Sequence, residues 1–111
     1  MGRIAKLKVI WERLNAEHFG GELQAVPIRI TRSRRCYGYF NAPNNGGRPS
    51  IRISTVLADT EELLRDTMAH EMIHQFLHSR FETGAQDWAG HGSDFQHHNL
   101  RIFGCEYVES T

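Results

Sequence analysis

The stretch with the most chemistry in it is His70-Glu71-Met72-Ile73-His74. Two histidines at i and i+4 stand one turn apart on the same face of a helix, so their imidazoles can converge on one ion. Glu71 is turned from His70 by about 100° at 3.6 residues per turn. A carboxylate there suits proton exchange with a water at the ion rather than ligation. H-E-x-x-H is thus the spacing of two zinc ligands and a general base for hydrolysis. The competing reading is two core histidines bonded to carbonyls, with Glu71 in an ion pair.

A catalytic zinc takes three protein ligands and leaves one position open. His78 lies eight residues beyond His70, about 12 Å along a helix, too far for both to hold one ion. His18 falls on an N-terminal helix and is read as packed or capping. His97 and His98 are adjacent and point about 100° apart. His91 is the best third ligand. It sits in Gly90-His91-Gly92, before a helix start, where flanking glycines allow close backbone approach. The 16 residues after His74 give the chain room to return. A metzincin extension is ruled out, because Leu77 and Arg80 stand where its Gly and third His belong.

These residues need elements to place them. Leu63, Leu64, Met68, Ala69, Met72, Ile73, Phe76 and Leu77 make the run from Asp59 to His78 apolar almost all round, which predicts a buried helix. Asp59 with Glu62 three residues on resembles a capping box, and Glu61 and Glu62 suit the positive helix end. Ile4, Leu7, Ile10, Trp11, Leu14 and His18 predict an amphipathic helix over 3–19, with Trp11 in the core and Gly20-Gly21 as its stop. Val26, Ile28 and Ile30 alternate as in a half-buried strand, and Pro27 marks its start or an edge. Tyr37 to Phe40 reads as a second strand and Ser50 to Ser54 as a third, with Asn41–Pro49 a loop between them. Short strands joined by turns suggest a small, mostly antiparallel sheet. Ser79–Gly90 reads as a loop. The last helix is expected over Ser93–Phe103, with Ser93 as N-cap, Gly104 as stop, and Phe95, Ile102 and Phe103 facing the core. Residues 105–111 read as a short tail.

At 111 residues one α+β domain, 1–111, is expected. Net charge is zero, yet residues 1–53 carry ten Lys/Arg against three Asp/Glu, and residues 54–111 carry three against ten. No global field draws the chain to a polyanion, but one face can. Cys36 and Cys105 are too few for a disulfide scaffold or a zinc ribbon, and free thiols in a reducing compartment are expected. No apolar run reaches transmembrane length and the N-terminus has no signal-peptide core, so no membrane partner is expected. The location expected is intracellular and cytoplasmic, nucleoid or nuclear if the activity is coupled to DNA.

H-E-M-I-H at 70–74, G-H-G-S-D-F at 90–95 and S-I-R-I-S at 50–54 behind an N-terminal helix resemble the SprT-like, or Spartan-type, metalloprotease domain. The resemblance runs from the first helix through Phe103. It implies a minimal zincin fold, zinc held by His70, His74 and His91, and Glu71 as base. It also implies substrates that are proteins bound or cross-linked to DNA. Many members carry a C-terminal zinc ribbon or other DNA-binding region, for which this chain lacks the cysteines.

The reaction expected is zinc-dependent peptide hydrolysis, with protein as substrate and single-stranded or damaged DNA as a candidate partner. Arg32, Arg34 and Arg35, beside Tyr37 and Tyr39, are the candidate nucleic-acid contacts. Tyr37, Tyr39, Arg48 and His98 are candidate oxyanion donors, and Asp94 a candidate carboxylate for orienting His91. Two other classes stay open: a zinc-stabilised nucleic-acid-binding module with little or no catalysis, and an interaction domain whose histidines are core.

Overall fold

The computed structural model describes residues 2–43, 45–80 and 88–109. Six elements follow in order: α1 (Arg3–His18), β1 (Ile28–Thr31), β2 (Gly38–Asn41), β3 (Ser50–Ser54), α2 (Glu61–Arg80) and α3 (Ser93–Phe103). This is a small α+β fold. The chain divides into two compact units, Met1–Met72 and Ile73–Thr111, and α2 runs unbroken through the boundary.

In the first unit, α1 buries Leu7, Trp11 and Leu14 at the predicted spacing. Asn15 closes its end: its side chain donates to and accepts from the backbone of Leu23, both at 3.1 Å. Gly20 and Gly21 take positive φ, 62° and 72°, which lets the chain reverse there. Lys6 pairs with Glu61 at 2.6 Å, tying α1 to the first turn of α2.

The sheet differs from the expected one. Its order is β1-β3-β2, with β1 parallel to β3 and β2 antiparallel to β3, so it is mixed rather than mostly antiparallel. The cause lies in residues 32–37. Ser54, wholly buried at the end of β3, donates its hydroxyl to Ser33 O at 2.7 Å, and its N–H bonds Tyr37 O at 2.8 Å. The chain leaving β1 is thereby carried across the end of β3, and β2 lands on the far side. Ile51 and Ile53, both fully buried, make the inner face of the central strand.

Two helix starts also differ. Thr60, not Asp59, caps α2: its Oγ1 accepts from Leu63 N at 3.1 Å and its carbonyl from Leu64 N. Gly92, not Ser93, is the N-cap of α3, and no side chain caps it. Gly104 ends α3 in the left-handed region at φ 77°, as the sequence predicts. The helix α2 extends to Arg80, and most of the expected Ser79–Gly90 loop lies outside the described residues. Of the core positions expected on α3, Phe95 is buried and Ile102 and Phe103 are half-buried. Both cysteines are free and exposed. No described helix is long and apolar enough to cross a membrane.

Candidate metal centre

The middle of α2 is buried on nearly every side, from Thr67 through Gln75 with only His70 half-buried. That is the burial expected of an all-round apolar helix. It encloses Glu71 and His74 at 5% and 6% exposure. Polar groups in such a place need partners. Among the described residues no buried side-chain nitrogen or oxygen lacks one.

His74 Nδ1 donates to Trp88 O at 2.8 Å, and His91 Nδ1 donates to Glu109 Oε1 at 2.5 Å. A neutral ring that donates from Nδ1 carries its lone pair on Nε2, so both imidazoles are held in the tautomer that ligates through Nε2. Phe95, buried to 1%, packs against both rings, 4.8 Å from His74 and 4.6 Å from His91. The His74 and His91 rings stand 5.2 Å apart. His70 is one turn back on the same helix. The ligand atoms of His70, His74 and His91 all lie within 4.8 Å of one another. A point at the centre of such a triangle is about 2.8 Å from each corner, and zinc–nitrogen bonds are about 2.0–2.1 Å. Side-chain adjustments of less than about 1 Å would suffice, so the three imidazoles fit a metal ion.

Glu71 is placed by the sheet. Ser54 N–H bonds Tyr37 O, and Tyr39 pairs with Arg52, so the backbone groups of Tyr37, Tyr39 and Asn41 face β3. Those of Gly38 and Phe40 face the open edge. There the Phe40 N–H donates to the Glu71 carboxylate. Burial pushes the Glu71 carboxyl up to about 8, and the Phe40 bond offsets only part of that. Gly38 makes the approach: a Cβ there would sit 2.7 Å from Thr67 Cγ2 and 3.1 Å from Glu71 Oε2. A glycine inside a strand signals such close passage, and this was the trace of it in the sequence.

The other sequence candidates lie elsewhere. His78 is engaged by the Trp88 indole, ring centres 4.9 Å apart, and so anchors the returning chain rather than a metal. His98 packs against Phe76 at 4.9 Å and accepts from Arg101 Nε through Nδ1 at 2.9 Å. Phe76 is about 200° around α2 from His74, so His98 is not placed to serve as an oxyanion donor. Asp94 is exposed in the first turn of α3, and the carboxylate on His91 is that of Glu109 instead. Tyr37 and Tyr39 are exposed, at 48% and 55%, on the far side of the strand from Phe40. Arg32, Arg34 and Arg35 are exposed in a turn ordered by Ser33, whose Oγ accepts from Arg35 N and Cys36 N at 3.1 Å. Trp88, Tyr107 and Glu109 were missed, because each acts across the fold from an irregular segment with no periodic signal.

His98 makes a measurable acid limit. Burial and the nearby Arg101 and His97 push its imidazole down to about 4 from 6.5. The unfolded chain therefore takes up this proton below about pH 6.5, while the folded chain refuses it until about pH 4, so stability falls as pH drops through that window. His98→Asn, whose amide oxygen can still accept from Arg101, should flatten the fall in melting temperature of metal-free protein between pH 7 and pH 4.5. A slope equal to wild type would refute the assignment.

A model of the SprT-like family matches residues 7–111. The chain is 35% identical over 100 residues to the DNA-dependent metalloprotease SPRTN of Homo sapiens, and equally so to that of Mus musculus, covering 86% of this chain and 20% of each relative. It is 32% identical over 102 residues to the DNA-dependent metalloprotease dvc-1 of Caenorhabditis elegans, covering 86% of this chain and 27% of that one. The chain thus spans about a fifth to a quarter of the length of these relatives. With a match that runs from residue 7 to residue 111, through both units, the chain belongs to the SprT-like family.

Proposed function

We propose that this chain is a zinc metallopeptidase of the HExxH, zincin type, in which His70, His74 and His91 hold the ion and Glu71 is the general base. The observation that carries this reading is the joint geometry: three imidazoles gathered within 4.8 Å, two with their tautomer set, beside a buried carboxyl raised to about 8. Three neutral imidazoles favour zinc over harder cations. Bound there, zinc would supply a Lewis acid for the scissile carbonyl and acidify a water molecule. Glu71 takes a proton from water and returns it to the departing amine. The Phe40 N–H keeps one carboxylate oxygen fixed, and the walls of Met68, Met72 and Ile73, all fully buried, keep bulk water from the helix core.

The substrates proposed are proteins on DNA, because the relatives are named DNA-dependent metalloproteases and this chain carries a matching surface. Between Glu22 and Asp59 there are six arginines, Arg29, Arg32, Arg34, Arg35, Arg48 and Arg52, and no Asp, Glu or Lys. Arg29 and Arg52 are register partners in β1 and β3, and Tyr39 pairs with Arg52 from β2. All three are exposed, so one row across the outer sheet presents two guanidinium groups and a phenol ring. Like charges on neighbouring strands repel, and a polyanion would relieve that cost. Arg binds phosphate and Tyr stacks a base, which suits single-stranded DNA. Action at the nucleoid or in the nucleus would follow.

The test is cleavage of a basic protein by zinc-loaded chain, with and without single-stranded DNA, after counting bound zinc. Cleavage raised by DNA supports the whole reading. Cleavage indifferent to DNA retains the peptidase and removes the DNA coupling. Stoichiometric zinc without cleavage under either condition would favour a zinc-stabilised binding module. Arg29→Ala with Arg52→Ala should weaken single-stranded DNA binding and lower its salt slope by about 0.7 per lost phosphate contact. Tyr39→Ala should cost about 1–3 kcal/mol of stacking at all salt concentrations. Unchanged binding in a fluorescence titration of both variants would remove the sheet row from the interface.

A further inference from the structure

We propose that Glu109 is the positioning residue of His91, and that residues 105–109 form a strap held on α3 to deliver it. The inference rests on the metal-centre reading above.

The strap begins where Gly104, left-handed at φ 77°, returns its N–H to Leu100 O at 2.8 Å and turns the chain back. From there the segment is fixed at two points by α3 side chains. Asn99, 4% exposed, donates its amide to Cys105 O at 2.9 Å. Gln96 holds Tyr107 from both sides: its Oε1 accepts from Tyr107 N at 2.7 Å, and its Nε2 donates to Tyr107 O at 2.9 Å. Gln96 and Asn99 are i and i+3, hence neighbours on one helix face. The strap therefore runs back along α3 toward its N-terminus, and His91 precedes that end.

An extended chain puts residues i and i+2 on the same side. Tyr107 and Glu109 both meet His91 in just that way. The Tyr107 ring lies 4.6 Å from the imidazole, centre to centre, and the Glu109 carboxylate accepts from Nδ1. Tyr107 also packs on Phe95 at 5.8 Å, so the His91 ring is enclosed by Phe95, Tyr107 and Glu109. His74 gets its tautomer from a backbone carbonyl, which no substitution of Trp88 removes. The orientation of His91 instead depends on one side chain that is mostly exposed, delivered by a clamp of two amides. A carboxylate on Nδ1 fixes the ring and makes Nε2 a better donor, and such partners are worth about 10–100-fold in metal affinity.

The test uses Glu109→Gln, Glu109→Asp and Gln96→Ala in the whole chain. Zinc affinity is measured by competition with a chromophoric chelator, and the His91 tautomer by nitrogen chemical shifts of the metal-free protein. Glu109→Gln should weaken zinc about 10–100-fold and let His91 exchange between tautomers, with the metal-free melting temperature unchanged. Gln96→Ala should act in the same direction with Glu109 intact, and Glu109→Asp should restore part of the affinity. Wild-type zinc affinity together with a wild-type tautomer in Glu109→Gln would overturn the inference. Should wild-type protein itself fail to bind zinc, the metal-centre reading falls, and the nitrogen shifts of metal-free protein still decide whether Glu109 sets the His91 ring.

Discussion

Glu71→Gln should abolish detectable peptide hydrolysis and leave zinc at one ion per chain. General-base catalysis is worth about 10²–10⁴-fold, and glutamine can accept the Phe40 hydrogen bond but cannot take a proton. Glu71 is not one of the three clustered imidazoles, so metal content has no reason to change. Loss of zinc along with activity would show that the carboxylate ligates or holds the site, and would refute the role of base. The same substitution has a second signature in the metal-free protein. The folded-state carboxyl titrates near 8 instead of 4.5, because burial disfavours its charged form. Between those values the folded chain retains a proton that the unfolded chain has released. Wild-type stability is therefore complete below about pH 4.5 and declines as pH rises through about 8. The glutamine variant lacks that decline. Melting curves should nearly coincide at pH 5 and separate by pH 9, with the variant higher. Parallel curves would mean that the carboxyl is not desolvated. A dication nearby favours the carboxylate, so zinc uptake at neutral pH should release a proton from wild type that the variant does not release.

Gly38→Ala should damage both stability and catalysis, although it adds one methyl group. Its Cβ would meet Thr67 Cγ2 at 2.7 Å and Glu71 Cγ and Oε2 at 3.1 Å, inside contact distance. Backbone strain has no part in this, since Gly38 is not among the positive-φ glycines. Overpacking of this kind costs about 1–3 kcal/mol. The strand edge and the carboxylate must also move apart, and a misplacement of about 1 Å can cost about 100-fold in rate. Thr67→Ser removes the Cγ2 methyl and should recover much of the stability. It should recover less of the activity, because the Glu71 contacts remain. Denaturant midpoints and kcat for the two single variants and the double variant decide the matter. A double variant no more stable than Gly38→Ala would place the clash elsewhere.

The parts of the fold that were legible in the sequence were those with a local period. Leu7, Trp11 and Leu14 recur at helical spacing, and Ser50–Ser54 alternates, so α1 and β3 lie where the pattern puts them. His70 and His74 were legible because a helix fixes their separation. His91 was reachable by elimination and by its glycines, and it joins the cluster. Strand order was not legible: it turns on the Ser54 hydroxyl reaching Ser33 O, a bond spanning 21 residues. Arg29 and Arg52 escaped notice for the same reason, since a parallel register is needed to bring them together. Asp94, near His91 in sequence, is the carboxylate that the sequence offers as its partner, whereas the carboxylate on the ring is that of Glu109, 18 residues away. A segment without periodicity gives no hint that Gln96 fastens it.

The bond from Phe40 to Glu71 has a bearing on solution behaviour as well. With the order β1-β3-β2, β2 is a border strand, and its outward N–H and C=O groups are a template onto which another chain could add. The Glu71 carboxylate occupies one of those donors from within the molecule. Removing the side chain altogether, as in Glu71→Ala, would expose that donor beside Tyr39 and favour self-association by strand addition. Glutamine keeps the donor engaged. Of the two substitutions, Glu71→Gln is thus the one expected to stay monodisperse, and the one suited to trapping an uncleaved substrate.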